Sequence, residues 1–448
     1  MKFDRRGLLA SAAAISLAGC TTLSPSSLSR SPRRAIVVRS GAGFSRGGLA
    51  YRIVGANMWY AAWLAADAPF GDRDRLRREL DRLRSLGINN LRIMASAEEG
   101  PLTNSIKPGF TRPDGSPNPA LFEGLDRAMA EIGSRGMTAV LVLSNFWEWS
   151  GGLQTLLWRA TGEYMDMGDP AHPWPAFADA TARFYANPQA RELYAAHLDR
   201  IVSRTNSITG RPYAEDPAIF SWQLANEPRP GGSDAAIAAN VADYRDWIES
   251  SASHIRELDP HHLVSLGQEG TQATNGSEDI VLTAHRQMDY LTAHIWPLNW
   301  GWVDGDDLSG TWSEGSGLTH EYIAAHERLA GQLGKPLVIE EFGFPRDGES
   351  YDPAAGTTFR QRFYATIYDA VERSVRSGGP LVGSNFWAWN GEARAQHGDY
   401  RFVDGDRAYM GDPPHEPQGW YGNFDSDADM LALIRQHAEA VLPRTGPT

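Results

Sequence analysis

The stretch IFSWQLANE, residues 219–227, is an apolar run that ends in an amide and a carboxylate. Its length and its aromatic and β-branched residues are typical of a buried strand. Pro228 follows directly, and a strand rarely continues past a proline because proline has no backbone N–H to donate. A carboxylate buried at a strand end costs free energy unless it is paired or used. The stretch therefore predicts a strand whose carboxyl end holds Glu227 for a specific task.

Seven other apolar runs occur along the chain, and each ends in polar or aromatic residues. They are YRIVGANMWY (51–60), INNLRIMAS (88–96), TAVLVLSNFW (138–147), LVSLGQEG (263–270), YLTAHIWP (290–297), LVIEEFGFP (337–345) and VGSNFWAW (382–389). Amphipathic segments separate most of the runs. In the first segment, Leu76, Leu80, Leu83 and Leu86 form one apolar stripe that ends at Gly87. The others cover 119–134, 177–204, 235–257, 319–333, 357–377 and 428–442.

Eight strands that alternate with helices over about 400 residues predict an α/β fold, a (β/α)8 TIM barrel with long βα loops. A doubly wound open sheet is the alternative. It would need a glycine-rich phosphate-binding loop between the first strand and a helix. The segment SGAGFSRGG (40–48) is rich in glycine but lacks that context, so the barrel is the better prediction.

Composition limits the classes of function that remain. The chain has 448 residues, 42% of them hydrophobic and 22% charged, and a net charge of −13. That charge argues against nucleic acid as a partner. The pattern of His, Cys and acidic residues matches no metal-binding motif, so we expect no metal or other cofactor. With no second linker in view, we expect residues 36–448 to form a single catalytic domain.

The N-terminal segment is typical of an export signal. Residues 1–20 have a charged start and an apolar run that ends in Leu-Ala-Gly-Cys, which resembles the lipobox of bacterial lipoproteins. Residues 21–35 form a Ser/Pro linker. We expect an exported protein that is lipid-anchored through Cys20 in the cell envelope, in the periplasm or on the outer membrane surface. The alternative is an ordinary signal peptide and a secreted protein.

In a barrel, the polar residues at the strand ends share one face. Glu227 and Glu341 end the fourth and seventh runs, so they would lie across the barrel mouth from each other. Two such acids with aromatic platforms are what glycoside hydrolysis requires. Strand alternation alone does not choose between Glu340 and Glu341, because neighbouring side chains point in opposite directions.

The motifs WQLANEPR, HIWPLNWGW, EEFGFPRD and GDPPHEPQGWYGNFDSD together resemble glycoside hydrolase family 5 of clan A, and within it the bacterial β-mannanase/β-mannosidase branch. The resemblance implies that Glu227 is the acid/base and Glu341 the nucleophile. It also implies that Asn226 holds the 2-hydroxyl of the sugar. Glu340 would then face away from the site or brace it, and Glu269 would be a salt-bridge or loop acid.

The resemblance implies further substrate-binding and supporting residues. Arg92 and His294 would support the acids, with Arg92 keeping Glu341 ionised while Glu227 keeps a raised pKa. The family commonly has a tyrosine where this chain has Trp296, so the indole N–H would replace a hydroxyl beside the nucleophile. The remaining assignments are Trp387 as the floor of the subsite on the non-reducing side, Trp147 for the adjoining sugar, Arg229 for the leaving-group sugars and Tyr60 as a further platform.

These residues predict a retaining hydrolase of β-1,4-mannosidic linkages in mannan, glucomannan, galactomannan and their oligosaccharides, acting as an endo-β-1,4-mannanase. An exo-acting β-mannosidase or mannobiohydrolase is a close alternative, in which the long segment 151–175 would close one end of the cleft. A β-1,4-glucanase on the same fold is a second alternative. A non-catalytic glycan-binding lipoprotein is the least favoured, since binding alone does not require both acids.

Overall fold

The computed structural model describes residues 35–442, so the export signal, most of the linker and Cys20 lie outside the described residues. The described chain begins with three short antiparallel strands, β1 (Val37–Ser40), β2 (Gly43–Arg46) and β3 (Leu49–Tyr51). The turn between β2 and β3 consists of Gly47 and Gly48, which adopt φ values of 62° and 83° that only glycine reaches readily. The glycine-rich segment therefore builds hairpin turns.

Eight parallel strands follow and form a nearly closed barrel, which confirms the predicted fold. They are β4 (Ile53–Asn57), β5 (Asn90–Met94), β6 (Thr138–Val142), β7 (Ile219–Gln223), β8 (Leu263–Ser265), β9 (Leu291–Ile295), β10 (Leu337–Phe342) and β11 (Leu381–Phe386). Each strand pairs with the next along the chain from β4 to β8 and from β9 to β11, and β11 pairs with β4. Between β8 and β9, the Asp289 N–H donates to Val264 O at 2.8 Å and the His294 N–H donates to Glu269 O at 2.9 Å. These two bonds bridge the remaining seam.

The helices surround the barrel and largely match the amphipathic segments. They are α1 (Ala61–Ala65), α2 (Arg73–Ser85), α3 (Pro119–Ser134), α4 (Gly152–Thr161), α5 (Ala176–Ala182), α6 (Pro188–Val202), α7 (Asp234–Leu258), α8 (Glu278–Ala284), α9 (Leu308–Leu333), α10 (Thr358–Ser377) and α11 (Ala428–Val441). The segment 177–204 forms two helices because Asn187 caps a new one, with Pro188 in its first turn. Among the helices of residues 35–442, none is long and apolar enough to cross a membrane.

A second small sheet holds the long loop that follows the last barrel strand. Its strands are β12 (Trp389–Gly391) and β13 (Asn423–Phe424), so the loop leaves and returns at neighbouring points. The buried Asp412 carboxylate fixes this loop, since it accepts the Tyr421 N–H at 2.7 Å and the Gly419 N–H at 2.8 Å. The loop is thereby held over the carboxyl ends of the strands.

The opposite end of the barrel is closed by the N-terminal sheet. Phe44 of β2 is 3% exposed, and its ring lies edge-on to Phe220 at 5.1 Å and to Tyr290 at 5.5 Å. These rings belong to a separate buried cluster that includes the first residues of several barrel strands. The hairpin therefore acts as an apolar plug at the amino ends of the strands, far from the predicted site.

We expect Phe44→Ala to lower the free energy of unfolding by about 3–5 kcal/mol, because the change removes a buried ring and leaves a cavity. Leu49→Ala is the matched control on the same sheet, since Leu49 is 71% exposed. The control should change the free energy by less than about 0.5 kcal/mol. Denaturant unfolding monitored by circular dichroism measures both. Equal effects of the two changes would show that the hairpin does not plug the barrel.

Candidate active site

Glu227 follows β7 in a backbone conformation that directs the chain sharply away from the strand. Its φ is 50°, in the left-handed region, which costs a non-glycine residue about 1–2 kcal/mol. Two contacts hold this turn. The Glu227 N–H donates to Gly267 O at 2.8 Å, and the Tyr244 hydroxyl donates to Pro228 O at 3.0 Å. Strain that is held in this way is common where a side chain must be presented to a ligand.

The two predicted catalytic carboxyl groups lie side by side. One oxygen of Glu227, one oxygen of Glu341 and a ring nitrogen of His294 all lie within 4.8 Å of one another. His294 Nδ1 is 2.6 Å from Glu227 Oε1 and 3.3 Å from Glu341 Oε2. Retaining glycosidases hold their two carboxyl groups about 5–5.5 Å apart, whereas inverting enzymes need about 6.5–9.5 Å. The spacing therefore fits a retaining reaction.

Arg92 organises the base of this pair. Its guanidinium contacts Glu341 Oε1 and donates from Nη2 to Asn226 Oδ1 at 2.7 Å. It also donates to Gln223 Oε1 at 2.7 Å and to Asn57 Oδ1 at 3.1 Å. Arg92 is only 3% exposed. It therefore contacts the acid and the amide from below and does not itself line the open cavity.

Glu340 and Glu341 point to different places. The Glu340 carboxylate accepts the Tyr290 hydroxyl at 2.8 Å and Gln223 Nε2 at 2.5 Å, inside the barrel. Glu341 instead reaches the mouth, where it contacts Arg92. Glu340 therefore braces the barrel interior, and Glu341 is the acid placed beside Glu227.

Burial and neighbouring charges set the protonation of the pair. Burial raises the pKa of Glu227 and the pKa of Glu341, while Arg229 opposes the rise at Glu227 and Arg92 opposes it at Glu341. Burial also lowers the pKa of His294 well below its ordinary value, so the ring is neutral. Two buried carboxyl groups this close share one proton. The direct contact with Arg92 favours the negative charge on Glu341 and the proton on Glu227.

A cavity of ≈ 520 Å³ opens above the two acids. Trp147 lies on one side and donates from its Nε1 to Glu227 Oε2 at 2.5 Å. Trp387 lies on another side and packs edge-on against Trp296, with ring centroids 6.0 Å apart. The predicted residues that line this cavity are Trp147, Asn226, Glu227, Arg229, Trp296, Glu341 and Trp387. Carboxyl groups below flat aromatic faces suit a sugar ring that stacks while its glycosidic bond reacts.

Comparison with known families agrees with this geometry. Residues 34–445 match the model of glycoside hydrolase family 5 proteins of the β-mannosidase-like type. The chain belongs to glycoside hydrolase family 5. It is therefore a glycoside hydrolase.

Proteins similar to this chain include plant and fungal ones. Mannan endo-1,4-β-mannosidase 1 of Arabidopsis thaliana is 29% identical over 367 residues, covering 78% of this chain and 81% of the relative. Putative mannan endo-1,4-β-mannosidase 9 of Oryza sativa subsp. japonica is 31% identical over 361 residues, covering 78% and 80%. The crystal structure of the family 5 mannosidase from Rhizomucor miehei superposes with a TM-score of 0.82 at 33% identity, covering 91% of this chain and 98% of that one. A mutant of that mannosidase has been solved in complex with mannosyl-fructose.

Trp296 lines the same cavity as the two acids. The sequence predicts its indole N–H beside the nucleophile Glu341. Burial raises the pKa of Glu227, and the Trp296 side chain is among the groups that oppose this rise. The second contact of Glu341 is His294 Nδ1, at 3.3 Å.

Tyr60 corrects the predicted set of sugar platforms. Its side chain is fully buried, and its hydroxyl donates to Trp389 O at 2.7 Å. The Arg75 guanidinium covers the ring at 5.5 Å from its centroid. Tyr60 thus joins α2 to the long loop after β11 and does not reach the cavity. The position of Tyr60 at the end of an apolar run does not indicate that its side chain is buried behind the residues that line the cavity.

Trp300, which lies in the motif HIWPLNWGW and is a candidate sugar platform from the sequence, also lines the cavity. Other cavity residues carry no individual prediction. They are Trp149, Met167, Trp174, Gln272, Asn275, Asn299, Pro413, His415 and Glu416. Two signals point towards some of them. Trp174 lies in the long segment 151–175, and His415 and Glu416 lie in the motif GDPPHEPQGWYGNFDSD that resembles the family. The sequence alone does not show that His415 and Glu416 reach the cavity, because their position depends on the path of the loop.

Among residues 35–442, the spacing of Glu227, His294 and Glu341 is also that of three metal ligands. The hydrogen bonds of the trio describe a different use. Glu341 is held by Arg92 and Glu227 by Trp147. The Arg92 cation favours ionisation of Glu341, and repulsion between the two carboxyl groups then favours the proton on Glu227, as acid–base and nucleophilic catalysis requires.

Proposed function

We propose that this chain is a retaining glycoside hydrolase that cleaves β-1,4-mannosidic linkages in mannan, glucomannan or galactomannan and in their oligosaccharides. The observation that carries the proposal is the close pair of Glu227 and Glu341, bridged by His294 and oriented by Arg92. The names of the plant relatives and the mannosyl-fructose complex of the fungal mannosidase support mannose as the sugar.

The proposed reaction has two steps. In the first, Glu341 attacks the anomeric carbon while Glu227 transfers its proton to the glycosidic oxygen, and the leaving sugar departs with that proton. In the second, Glu227 removes a proton from a water molecule, which attacks the same carbon and releases Glu341. We expect Asn226 to hold the 2-hydroxyl group. Arg92 fixes its Oδ1, and one amide N–H donates to Asn145 Oδ1 at 3.1 Å, so the second N–H remains to bind the sugar.

The stereochemistry and the sugar preference test this function together. We expect the first product released from a manno-oligosaccharide to carry a β-configured anomeric centre, because two inversions restore the starting configuration. Proton nuclear magnetic resonance during the first minutes of reaction resolves the two anomers. Matched cello-oligosaccharides serve as the control and should react much more slowly. An α-configured first product would contradict the retaining reaction, and faster cleavage of the cello-oligosaccharide would favour the glucanase alternative.

Endo action is the mode that the sequence predicts and that the names of the plant relatives support. A wall beside Trp387 favours exo action as a second candidate. Trp149 lies edge-on to Trp387 at 6.4 Å and packs against Trp59 at 5.6 Å. Trp59 in turn donates from Nε1 to Gly411 O at 3.0 Å. If Trp387 floors the subsite on the non-reducing side, this wall leaves little room for further sugars on that side.

The first products from polymeric mannan separate the two modes. Endo action releases a mixture of oligosaccharides and lowers the viscosity of the solution early. Exo action releases mannose or mannobiose alone while the viscosity stays nearly constant. Chromatography of samples from the first few per cent of conversion, with viscosity measured in parallel, identifies the mode. Exo products would mean that the wall at Trp149 closes one end of the pocket. Endo products would mean that it forms one side of an open cleft.

We also propose that the protein is exported and held in the cell envelope by a lipid on Cys20, and that it belongs to the bacterial branch of the family. The lipobox-like sequence before Cys20 supports both proposals. Labelling with a radioactive fatty acid in the native cells tests the anchor, with Cys20→Ser as the unlabelled control.

A further inference from the structure

The site contains a third buried carboxyl group that the two-step reaction does not use. Glu269 lies just beyond β8, lines the same cavity as Glu227 and is only 2% exposed. Its backbone oxygen accepts the Tyr322 hydroxyl at 2.6 Å and the His294 N–H at 2.9 Å. The residue is therefore fixed by α9 and by β9, and its carboxylate is held at the cavity wall.

The carboxylate of Glu269 forms an ion pair with Arg229. Arg229 is itself 7% exposed, and its guanidinium carbon lies 5.3 Å from the ring centroid of Trp147 and 5.4 Å from that of Trp174. Trp147 donates its indole N–H to Glu227 Oε2 at 2.5 Å. A continuous set of contacts thus runs from Glu269 through Arg229 and Trp147 to the acid/base carboxyl group.

The charges around Glu269 couple it directly to that carboxyl group. Burial raises the pKa of Glu269, the Arg229 cation opposes this rise and the Glu227 carboxyl adds to it, with a net pKa of about 7. The other ionisable groups that face Glu269 are His294, which is neutral, Glu341, and the hydroxyls of Tyr244 and Tyr322. Arg229 is also the leading charge that lowers the pKa of Glu227. One cation is therefore shared between two carboxyl groups.

We propose that Glu269 is a positioning residue for the acid/base step. Its ion pair holds Arg229 against Trp147, and its negative charge offsets the cation so that Glu227 keeps its proton. This inference rests on the role of Glu227 proposed above. If Glu269 served only as a structural anchor for Arg229, its replacement would lower the stability of the protein. It would not change the pH at which Glu227 loses its proton.

The pH profile of kcat/KM on a manno-oligosaccharide tests this role. Its basic limb reports ionisation of the acid in the free enzyme. Glu269→Gln keeps the shape of the side chain and removes the charge. The cation of Arg229 then acts on Glu227 without compensation, so the pKa of Glu227 falls. We expect the basic limb to move to lower pH by about one unit, the size of shift that a neighbouring charge produces.

Two further variants keep the test decisive. Asp126→Asn removes a buried carboxylate that pairs with Arg204 away from the cavity, so it should leave both limbs in place. Arg229→Met removes the cation that lowers the pKa of Glu227, so its basic limb should move to higher pH. This shift in the opposite direction tests the electrostatic coupling between Arg229 and Glu227 even if Glu269→Gln does not fold.

Unchanged limbs in both Glu269→Gln and Arg229→Met would overturn the inference, whatever their effect on rate or stability. This result is distinguishable from failure of the proposed function. If Glu227 were not the acid/base, Glu227→Ala would retain activity on manno-oligosaccharides. If only the coupling is wrong, Glu227→Ala is inactive on them while the limbs of the Glu269 and Arg229 variants stay in place.

Discussion

Replacing Glu341 by alanine should lower kcat by at least about 10⁴-fold, because it removes the carboxylate that attacks the anomeric carbon. Manno-oligosaccharide binding should remain measurable by calorimetry, since Trp147, Trp387 and Asn226 still line the cavity. A 2-deoxy-2-fluoro β-mannoside with a good leaving group should label the wild-type enzyme once. Peptide mass spectrometry should place the added sugar on Glu341.

Glu340→Gln is the matched control for Glu341→Ala, because the two acids are adjacent in sequence. Glu340 braces the barrel interior through Tyr290 and Gln223 and lies 4.0 Å from the Arg92 guanidinium. Its loss should reduce stability and lower the rate far less than the loss of Glu341. The opposite order of effects, or a label on Glu340, would show that the nucleophile is the other member of the pair.

The sequence predicts the barrel and its two acids well for a geometric reason. In a parallel barrel the carboxyl ends of all strands meet on one face, so residues that end apolar runs far apart in sequence become neighbours. Glu227 and Glu341 follow this rule, as do Arg92 and His294. Arg92, His294 and Glu341 lie in β5, β9 and β10, and Glu227 lies shortly beyond the end of β7. The positions of these strands are readable from runs of apolar residues.

Residues outside the strands are less predictable, because contacts between distant segments decide where they point. Tyr60 ends the apolar run that also contains Asn57. Its hydroxyl nevertheless donates to the backbone oxygen of Trp389, which lies more than 300 residues later in the sequence. His415 and Glu416 reach the cavity because Asp412 folds the long loop over it. No local pattern contains that information, since it depends on the path of a whole loop.

The N-terminal hairpin shows the same limit at the other end of the barrel. Its strands are only three or four residues long, and their alternation is too brief to be read as a sheet. Phe44 looks like an isolated aromatic residue in a glycine-rich segment. Its role becomes visible only when Phe220 and Tyr290 are seen to meet it below the barrel. Short elements that close a barrel are stabilised by tertiary packing more than by local propensity.

Replacing Glu227 by alanine should produce losses that depend on the leaving group of the substrate. General acid catalysis contributes about 10²–10⁴-fold, and its benefit is greatest when a poor leaving group must be protonated. We expect a manno-oligosaccharide to lose most of that factor in the first step. A dinitrophenyl β-mannoside should keep a fast first step, because its leaving group departs without a proton. A burst of dinitrophenol, monitored by absorbance, measures that step.

The second step of the same variant provides the control. Without Glu227 no base activates the water molecule, so the mannosyl-enzyme on Glu341 should accumulate after the burst. Azide is a nucleophile that needs no base, and it should restore turnover and release mannosyl azide. Glu341→Ala should show neither the burst nor the rescue. Equal losses on both substrates, with no effect of azide, would mean that Glu227 only positions the sugar. The proton donor would then be one of the other buried acids of the cavity, Glu269 or Glu416.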